Sequence, residues 1–360
     1  MMYFEKLTLL NWRNIEDTEL AFGSRFNVFW GGNAQGKSNL LEAIFFLGRG
    51  FSPRRNRNED LIRWGKNQAY LGTTIRDGEL FFRKEVRISL EGRDWRLDNR
   101  KEKRRDYVIG YFPDDLEIVS GNPFRRRQFL DEAIAFISPT YKLLLKTYED
   151  ILQRRNYLLK QPTGRELLDV YTEKIAEVGS RIVKARLKYL TLLSTFFEEY
   201  CKRIESNTSK VFLKYRTSGY TIGKEIEIKD SLFKGLDSCF SLDVERGFTS
   251  CGPHRDDLEF IREGKSLRDF ASWGELKTLA LALRLAEASV IKSTKGYGVI
   301  VLLDDVFSDL DEERRQFLLK DVFREEQVFI TTTERDWKSF LPRGEIRSFY
   351  LEKGRIVKNV

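Results

Sequence analysis

Two short stretches of the chain carry residue types that handle phosphate. Gly31-Gly32-Asn33-Ala34-Gln35-Gly36-Lys37-Ser38 fits the pattern G-x-x-x-x-G-K-[ST]. In such a loop the glycines let backbone N–H groups turn inward around phosphate oxygens, the lysine reaches the β- and γ-phosphates, and the serine hydroxyl ligates Mg²⁺. The apolar run Phe26–Trp30 precedes it as a strand, and a helical pattern follows from Lys37 to Leu47. The helix N-terminus therefore adds its positive end to the same place. The second stretch, Val299 to Leu303, reads as a buried central strand that delivers Asp304 and Asp305 at its C-terminal end. Ligand sites of open α/β sheets lie at that end. Asp304 is expected to hold Mg²⁺ through water. Asp305, pointing differently because strand residues alternate, is expected to orient the attacking water, with Lys37 as its catalytic companion. The chemistry is hydrolysis of a nucleoside triphosphate.

More than 250 residues separate Ser38 from Asp304, a spacing that suits an ATPase head split by an insertion. Between them, Ala271-Ser272-Trp273-Gly274-Glu275-Leu276 precedes a helical run from Leu276 to about Ile291. It resembles the ABC-type signature S-x-G-E/Q at a helix N-terminus. In that superfamily the signature faces the γ-phosphate held by another copy, so Ser272, Gly274 and Glu275 are expected to act in trans. Ser308-Asp309-Leu310-Asp311 looks like the D-loop of the same superfamily, with Ser308 and Asp311 as its polar residues. One phosphate loop and one signature per chain imply an ATP-dependent homodimer with two symmetric sites. After the strand at Val328, where many ABC ATPases place a histidine, stands Thr331-Thr332-Thr333. Thr332 is the expected γ-phosphate sensor. A hydroxyl can hydrogen-bond but cannot carry charge, so hydrolysis should be slow, below roughly 10 per second, the enzyme median.

Periodicity indicates what positions these residues. Residues 3–10 and 17–30 read as strands, and Ala69 to Leu97 as hairpins turning at Asp77-Gly78 and Glu91-Gly92. From Ser138 apolar residues recur at helical spacing, Pro162-Thr163-Gly164 breaks the pattern, and a second helix from Arg165 runs to Phe196. Two such helices should pack antiparallel as an arm. Residues 211–262 are mixed and weakly strand-like, and a hairpin about Lys353-Gly354 follows the last strands. The expected organisation is an α/β head from 1–125 and 245–360, with a mainly helical arm inserted at 126–244.

Composition narrows the partners. Hydrophobic residues make up 41% and charged residues 33% of 360, the balance of a soluble globular protein. No apolar run approaches the roughly 20 residues of a membrane helix, so no membrane is expected among the partners, and the scattered cysteines fit a reducing, cytoplasmic location. Three scattered cysteines without a CxxC pair speak against a disulfide scaffold, and a single histidine, His254, excludes two-histidine metal sites. The net charge of +8 argues for an anionic partner. Basic residues gather at Arg54, Arg55 and Arg57, along Arg93–Arg105 including Arg104 and Arg105, and at Arg125, Arg126 and Arg127. Each cluster is a solvated face in the plain reading. In the functional one, Arg54, Arg55, Arg57, Arg104 and Arg105 are candidates for backbone-directed, salt-dependent DNA binding. Arg54 could instead touch the nucleotide.

Four further elements carry a resemblance over nearly the whole chain. They are Asn11-Trp12-Arg13-Asn14, the Asn33-Ala34-Gln35 filling of the phosphate loop, Phe112-Pro113-Asp114-Asp115-Leu116 with Phe129-Leu130-Asp131, and Gly252-Pro253-His254-Arg255-Asp256-Asp257-Leu258. Together they resemble the RecF family of bacterial recombination mediators. The resemblance implies an ABC-type, SMC-like P-loop ATPase head with a short helical arm, using ATP and Mg²⁺. It implies ATP-dependent dimerisation on DNA (single-stranded, duplex or junction) and the partners RecR and RecO. It further implies help in loading recombinase at gapped DNA, with roles in recombinational repair, replication restart and the SOS response. The signature departs from the family's common Ser-Gln-Gly-Gln-Gln-Arg, reading Ser-Trp-Gly-Glu-Leu-Lys. An ABC transporter's ATPase subunit and a module that uses ATP purely as a clamp are the competing readings.

Overall fold

β-branched and aromatic residues dominate the segments that pair as strands, and turn residues separate them. A computed structural model describes residues 2–54, 57–97, 108–162, 164–204, 209–223, 227–296, 298–323, 326–339, 341 and 345–359. Fourteen strands are found among these residues. The first seven are β1 (Met2–Leu10), β2 (Thr18–Ala21), β3 (Phe26–Trp30), β4 (Gln68–Asp77), β5 (Leu80–Ser89), β6 (Arg93–Leu97) and β7 (Val108–Tyr111). Next come β8 (Val211–Arg216), β9 (Asp257–Arg262) and β10 (Lys265–Ser266). The last four are β11 (Ile300–Asp304), β12 (Gln327–Thr332), β13 (Ile346–Glu352) and β14 (Arg355–Asn359).

The chain divides into two compact units, Met1–Asp115 with Ala288–Val360, and Leu116–Glu287. The first holds a six-stranded sheet of order β14-β13-β3-β12-β11-β7, parallel except at the β14 edge. Its strands are nearly continuous apolar runs, as a sheet buried on both faces requires. A second, antiparallel sheet of order β2-β1-β4-β5-β6 joins it around one hydrophobic core. The helix Lys37–Arg49 is buried along most of its length, with Leu40, Ile44 and Phe46 inaccessible. Phe22, Phe29, Phe329 and Phe349 meet edge-on, tilted or stacked with centroids 4.7–6.2 Å apart, Phe29 lying on the strand that feeds the phosphate loop.

The second unit contains the antiparallel sheet β10-β9-β8 and the helices Pro123–Ile137, Pro139–Leu158 and Arg165–Ile204. Leu168, Ile175, Ile182, Tyr189, Leu193 and Phe197 line the buried stripe of the last. This compact unit takes in the 126–244 stretch together with its flanks. Arg126 donates to both carboxylate oxygens of Asp257 at 2.7 and 3.0 Å, and β8 pairs with β9, so the flanks of the arm are tied to it.

The hairpins at Asp77-Gly78 and Glu91-Gly92 form as expected. Three expectations differ. The strand expected over 17–30 is interrupted between β2 and β3, where the Asn27 amide bonds both the N–H and the carbonyl of Gly23 at 2.8 and 2.9 Å. Residues 211–262 contain two helices, Ile228–Ser238 and Phe240–Arg246, besides β8 and β9. The Arg125–Arg127 cluster is no solvated face. Arg126 is buried against Asp257, Arg127 donates to the Asp256 carbonyl at 2.8 Å, and Arg125 pairs with Glu117 at 2.6 Å.

Candidate functional site

The phosphate loop leaves the end of β3 and bends through left-handed backbone at Gly31 (φ 147), Ala34 (φ 60) and Gly36 (φ 101). Glycine is required at the outer two. A Cβ on Gly31 would lie 2.5 Å from the Leu351 carbonyl oxygen, and one on Gly36 would lie 2.6 Å from Ile15 Cδ1. Ala34 accepts the strained conformation at a cost of roughly 1–2 kcal/mol. Asn33 and Gln35 are held together by Gln35 Nε2 donating to the Asn33 carbonyl at 2.9 Å. Lys37 folds back and donates to the carbonyls of Gly31 and Gly32 at 2.9 and 2.6 Å. Burial lowers its ammonium pKa, while the Asp305 and Asp304 charges oppose that shift.

Across the sheet, Ser38 Oγ donates to Asp304 Oδ1 at 2.9 Å. The parallel register sets Asp304 beside Thr331, whose Oγ1 donates to the same oxygen at 2.6 Å and accepts from the Asp305 N–H at 2.9 Å. Asp304 is buried, and desolvation raises its pKa against the pull of Thr331, Ser38, Arg54 and Lys37. A hydroxyl and a carboxylate on one side of a phosphate loop form a hard-oxygen donor set that suits Mg²⁺.

Asp305 is re-aimed by a different device from the one the sequence suggested. β11 ends at Asp304, and Asp305 takes a left-handed conformation (φ 53). Its exposed side chain leaves the strand by a turn, not by pleat alternation. Such strain at a strand end is a mark of functional positions. The turn is completed by Ser308 Oγ donating to the Asp305 carbonyl at 3.0 Å, and Asp311 caps the next helix by accepting from the Arg314 N–H at 3.0 Å. Thr332 is buried and its hydroxyl accepts from the Glu334 N–H at 3.0 Å.

Around the first turn of the Lys37–Arg49 helix lies a polar collar that spacing alone did not reveal. Trp12 Nε1 donates to the Asn39 carbonyl at 2.8 Å, and Asn39 Nδ2 donates to Asn14 Oδ1 at 2.7 Å. Glu42 is wholly buried, paired with Arg13 at 2.6 Å and 3.5 Å from Arg54. Arg54 also donates to Asn39 Oδ1 at 2.9 Å. A glutamate on an otherwise apolar helix face was the one available signal. Arg57 is a surface residue pairing with Glu59 at 3.4 Å, its side chain 85% exposed. Arg55, Arg104 and Arg105 lie outside the described residues.

The signature opens a longer helix than periodicity suggested, Trp273–Lys295, which begins in the second unit and ends in the first. Ser272 caps it: its Oγ accepts weakly from the Glu275 N–H at 3.3 Å, and Glu275 Oε2 receives the Ser272 N–H at 2.8 Å. This reciprocal pair is a capping box, and Arg262 holds the other Glu275 oxygen at 2.8 Å. These bonds, first that from the Ser272 N–H, hold the Glu275 carboxyl below its usual pKa. Gly274 has open space around it, and Trp273 is 63% exposed.

A parallel sheet with a phosphate loop at one strand end, acidic residues on the next strand but one, and a separate capped signature helix defines an SMC-like ATPase head. Residues 3–341 match the RecF/RecN/SMC N terminal domain family. The chain belongs to the RecF family. It is 35% identical over 371 residues to the DNA replication and repair protein RecF of Lactobacillus delbrueckii subsp. bulgaricus, covering 99% of this chain and 97% of that one. It is similar to a solved structure of the recombination mediator protein RecF with ATP in the RecFOR pathway, with a TM-score of 0.89 and 31% identity over 100% of this chain and 98% of that one. The Smc head domain from Pyrococcus furiosus, bound to the C-terminal domain of ScpA, shares the fold at a TM-score of 0.57 and 18% identity, covering 100% of this chain and 96% of that one. Among the described residues no helix is long and apolar enough to cross a membrane.

Proposed function

We propose that this chain is a cytoplasmic, ATP-dependent DNA-binding protein of recombinational repair, in which ATP joins two copies head to head on DNA and slow hydrolysis releases them. The observation that carries the reading is the meeting of Ser38, Asp304 and Thr331 on one oxygen beside the phosphate loop. The inward amides of residues 31–38 bind the phosphates, and Lys37 exchanges the carbonyls of Gly31 and Gly32 for β- and γ-phosphate oxygens. Ser38 and Asp304 would hold Mg²⁺, which supplies charge neutralisation at the phosphates. Asp305 accepts a proton from the attacking water and orients it. Thr331 holds Asp304 and the Asp305 backbone in register, and Thr332 steadies the following turn as part of the γ-phosphate sensor. Arg54, close enough to influence Asp304, contributes positive charge to the nucleotide.

Ser272, Gly274 and the amides of the Trp273–Lys295 helix supply the γ-phosphate contact to a second copy, with Ser308 and Asp311 in the facing D-loop. The functional head comprises 1–125 and 245–360, and 126–244 is the arm. DNA, with Arg57 among its contacts, stimulates a weak ATPase. RecR and RecO are the partners with which the dimer assists recombinase loading, replication restart and SOS induction.

Light scattering coupled to size exclusion tests this on wild type, Lys37→Arg and Ser272→Arg, with and without ATP and duplex. Wild type should become dimeric only with ATP. Ser272→Arg should bind nucleotide yet stay monomeric. A wild-type chain that remains monomeric with saturating ATP and duplex overturns the mechanism.

A further inference from the structure

We propose that the turn of the β13–β14 hairpin, Lys353–Gly354, is the back wall of the nucleotide site, and that Gly354 is a positioning residue for nucleotide binding. This rests on the reading of residues 31–38 as the phosphate-binding loop. Two successive amides of the turn grip one residue of that loop. The Lys353 N–H donates to Gln35 Oε1 at 2.6 Å, and the Gly354 N–H donates to the Gln35 carbonyl at 3.1 Å. Through its own Nε2 the same glutamine holds the Asn33 carbonyl, so the grip extends to the middle of the loop. Two residues before the turn, the Leu351 carbonyl stands so close to Gly31 that no side chain fits there. The parallel pairing of β13 with β3, Tyr350 beside Trp30, places the hairpin next to the strand that feeds the loop.

The other side of the turn is anchored as firmly. The Glu16 N–H donates to the Gly354 carbonyl at 2.9 Å, and Arg355 pairs with Glu16 at 2.5 Å. Gly354 is left-handed (φ 79), and a Cβ there would collide with the Asn14 carbonyl oxygen. Asn14 in turn accepts from Asn39 in the first turn of the phosphate-loop helix, and Ile15 closes against Gly36. The Asn11–Asn14 element thereby acquires a role: with the hairpin it clamps the loop from two segments more than 300 residues apart.

A loop whose amides must all point inward binds phosphate best when that arrangement exists beforehand, because less ordering remains to be done on binding. The hairpin acts by holding Gln35 and Gly31, so loosening it should lower affinity although no residue of the phosphate loop is itself changed.

Gly354→Ala in the full chain is the test, with Gly78→Ala as its matched control. Gly78 occupies a hairpin turn of the same unit, is also left-handed (φ 63), and has nothing within 4 Å of the added Cβ. Binding of a fluorescent ATP analogue should weaken about tenfold, roughly 1.4 kcal/mol, in Gly354→Ala and stay at the wild-type value in Gly78→Ala. In wild type, saturating ATP should slow hydrogen exchange at the Lys353 and Gly354 amides and leave the Gly78 amide unchanged. Equal affinities for the two variants, or exchange at 353–354 indifferent to ATP, would overturn the proposal. Should Gly354→Ala fail to fold, the wild-type exchange decides alone. A wild type that binds no nucleotide sinks the reading of the loop itself, a different outcome from a wild type that binds and a variant that binds equally.

Discussion

The two units bury very different things. The main core of the first unit is apolar, with Phe4, Leu7, Leu41, Phe46, Phe329 and Phe349 all inaccessible, and its buried polar groups gather beside the phosphate loop, as with Glu42 and Asp304. The second unit is pinned by ions and hydroxyls. Arg155 and Asp243 are both fully buried and 2.8 Å apart, and Arg186 donates to both oxygens of Asp131 at 2.9 Å. Asp256 accepts from Tyr215 at 2.6 Å, from Tyr220, and from the Ser218 N–H at 2.9 Å. His254 joins the same region, accepting at Nδ1 from Tyr148 (2.8 Å) because its Nε2–H faces the Thr249 carbonyl at 3.0 Å. An apolar core tolerates small adjustments of shape, whereas buried ion pairs admit one geometry and penalise loss of either partner. A loop that must hold strained backbone stands mainly on the first kind of support, and the helices of the second unit on the second. Removing the exposed Asp305 carboxylate should therefore cost chemistry, and removing a buried charge of the second unit should cost stability.

The largest expected effect is on chemistry. Asp305→Asn should lower ATP turnover by about 10²–10⁴-fold, with nucleotide affinity and thermal midpoint near wild type. An equal fall in stability would erase the contrast. In the second unit, Arg155→Met should destabilise by about 3–5 kcal/mol by leaving Asp243 buried and uncompensated, as read by chemical denaturation. ATP-analogue binding by the remaining folded protein should be unchanged. A loss under 1 kcal/mol would mean that water relieves the pair.

A smaller effect follows from His254, the one histidine of the chain. Burial holds its imidazole down to about 4, below the ordinary 6.5. Folded His254 stays neutral while the unfolded chain takes up a proton. Its contribution is fully present above pH 6.5, shrinks as pH falls from there, and is exhausted near pH 4, a loss of up to about 3 kcal/mol. The single imidazole resonance should titrate with a midpoint near 4. A midpoint near 6.5 would remove this residue from the buried network. The smallest effect belongs to Arg57→Ala, whose surface pair with Glu59 is worth at most about 1 kcal/mol. Its mark should instead be a shallower salt dependence of DNA binding, and an unchanged slope would exclude Arg57 from the interface.

Much of this was legible in one dimension. The pattern from Gly31 to Ser38, the apolar run before Asp304, the helical spacing of the arm and the signature from Ser272 to Glu275 at a helix start are local, and local physics suffices for them. Backbone freedom, strand burial and capping each leave a mark within a few residues. Other features depend on which distant segments become neighbours. Thr331 meets Asp304 only because β12 pairs with β11 in one register, and Asp305 turns left-handed where that strand ends. The arginines at 126 and 127 looked like surface charge until Asp256 and Asp257 arrived from 130 positions away. Sequence determined which chemistry the chain carries, since residue type and short spacing specify it. Only the tertiary structure decided which charges are buried, which carboxylate faces which hydroxyl, and that a remote hairpin closes the loop, because those depend on contacts no short-range pattern encodes.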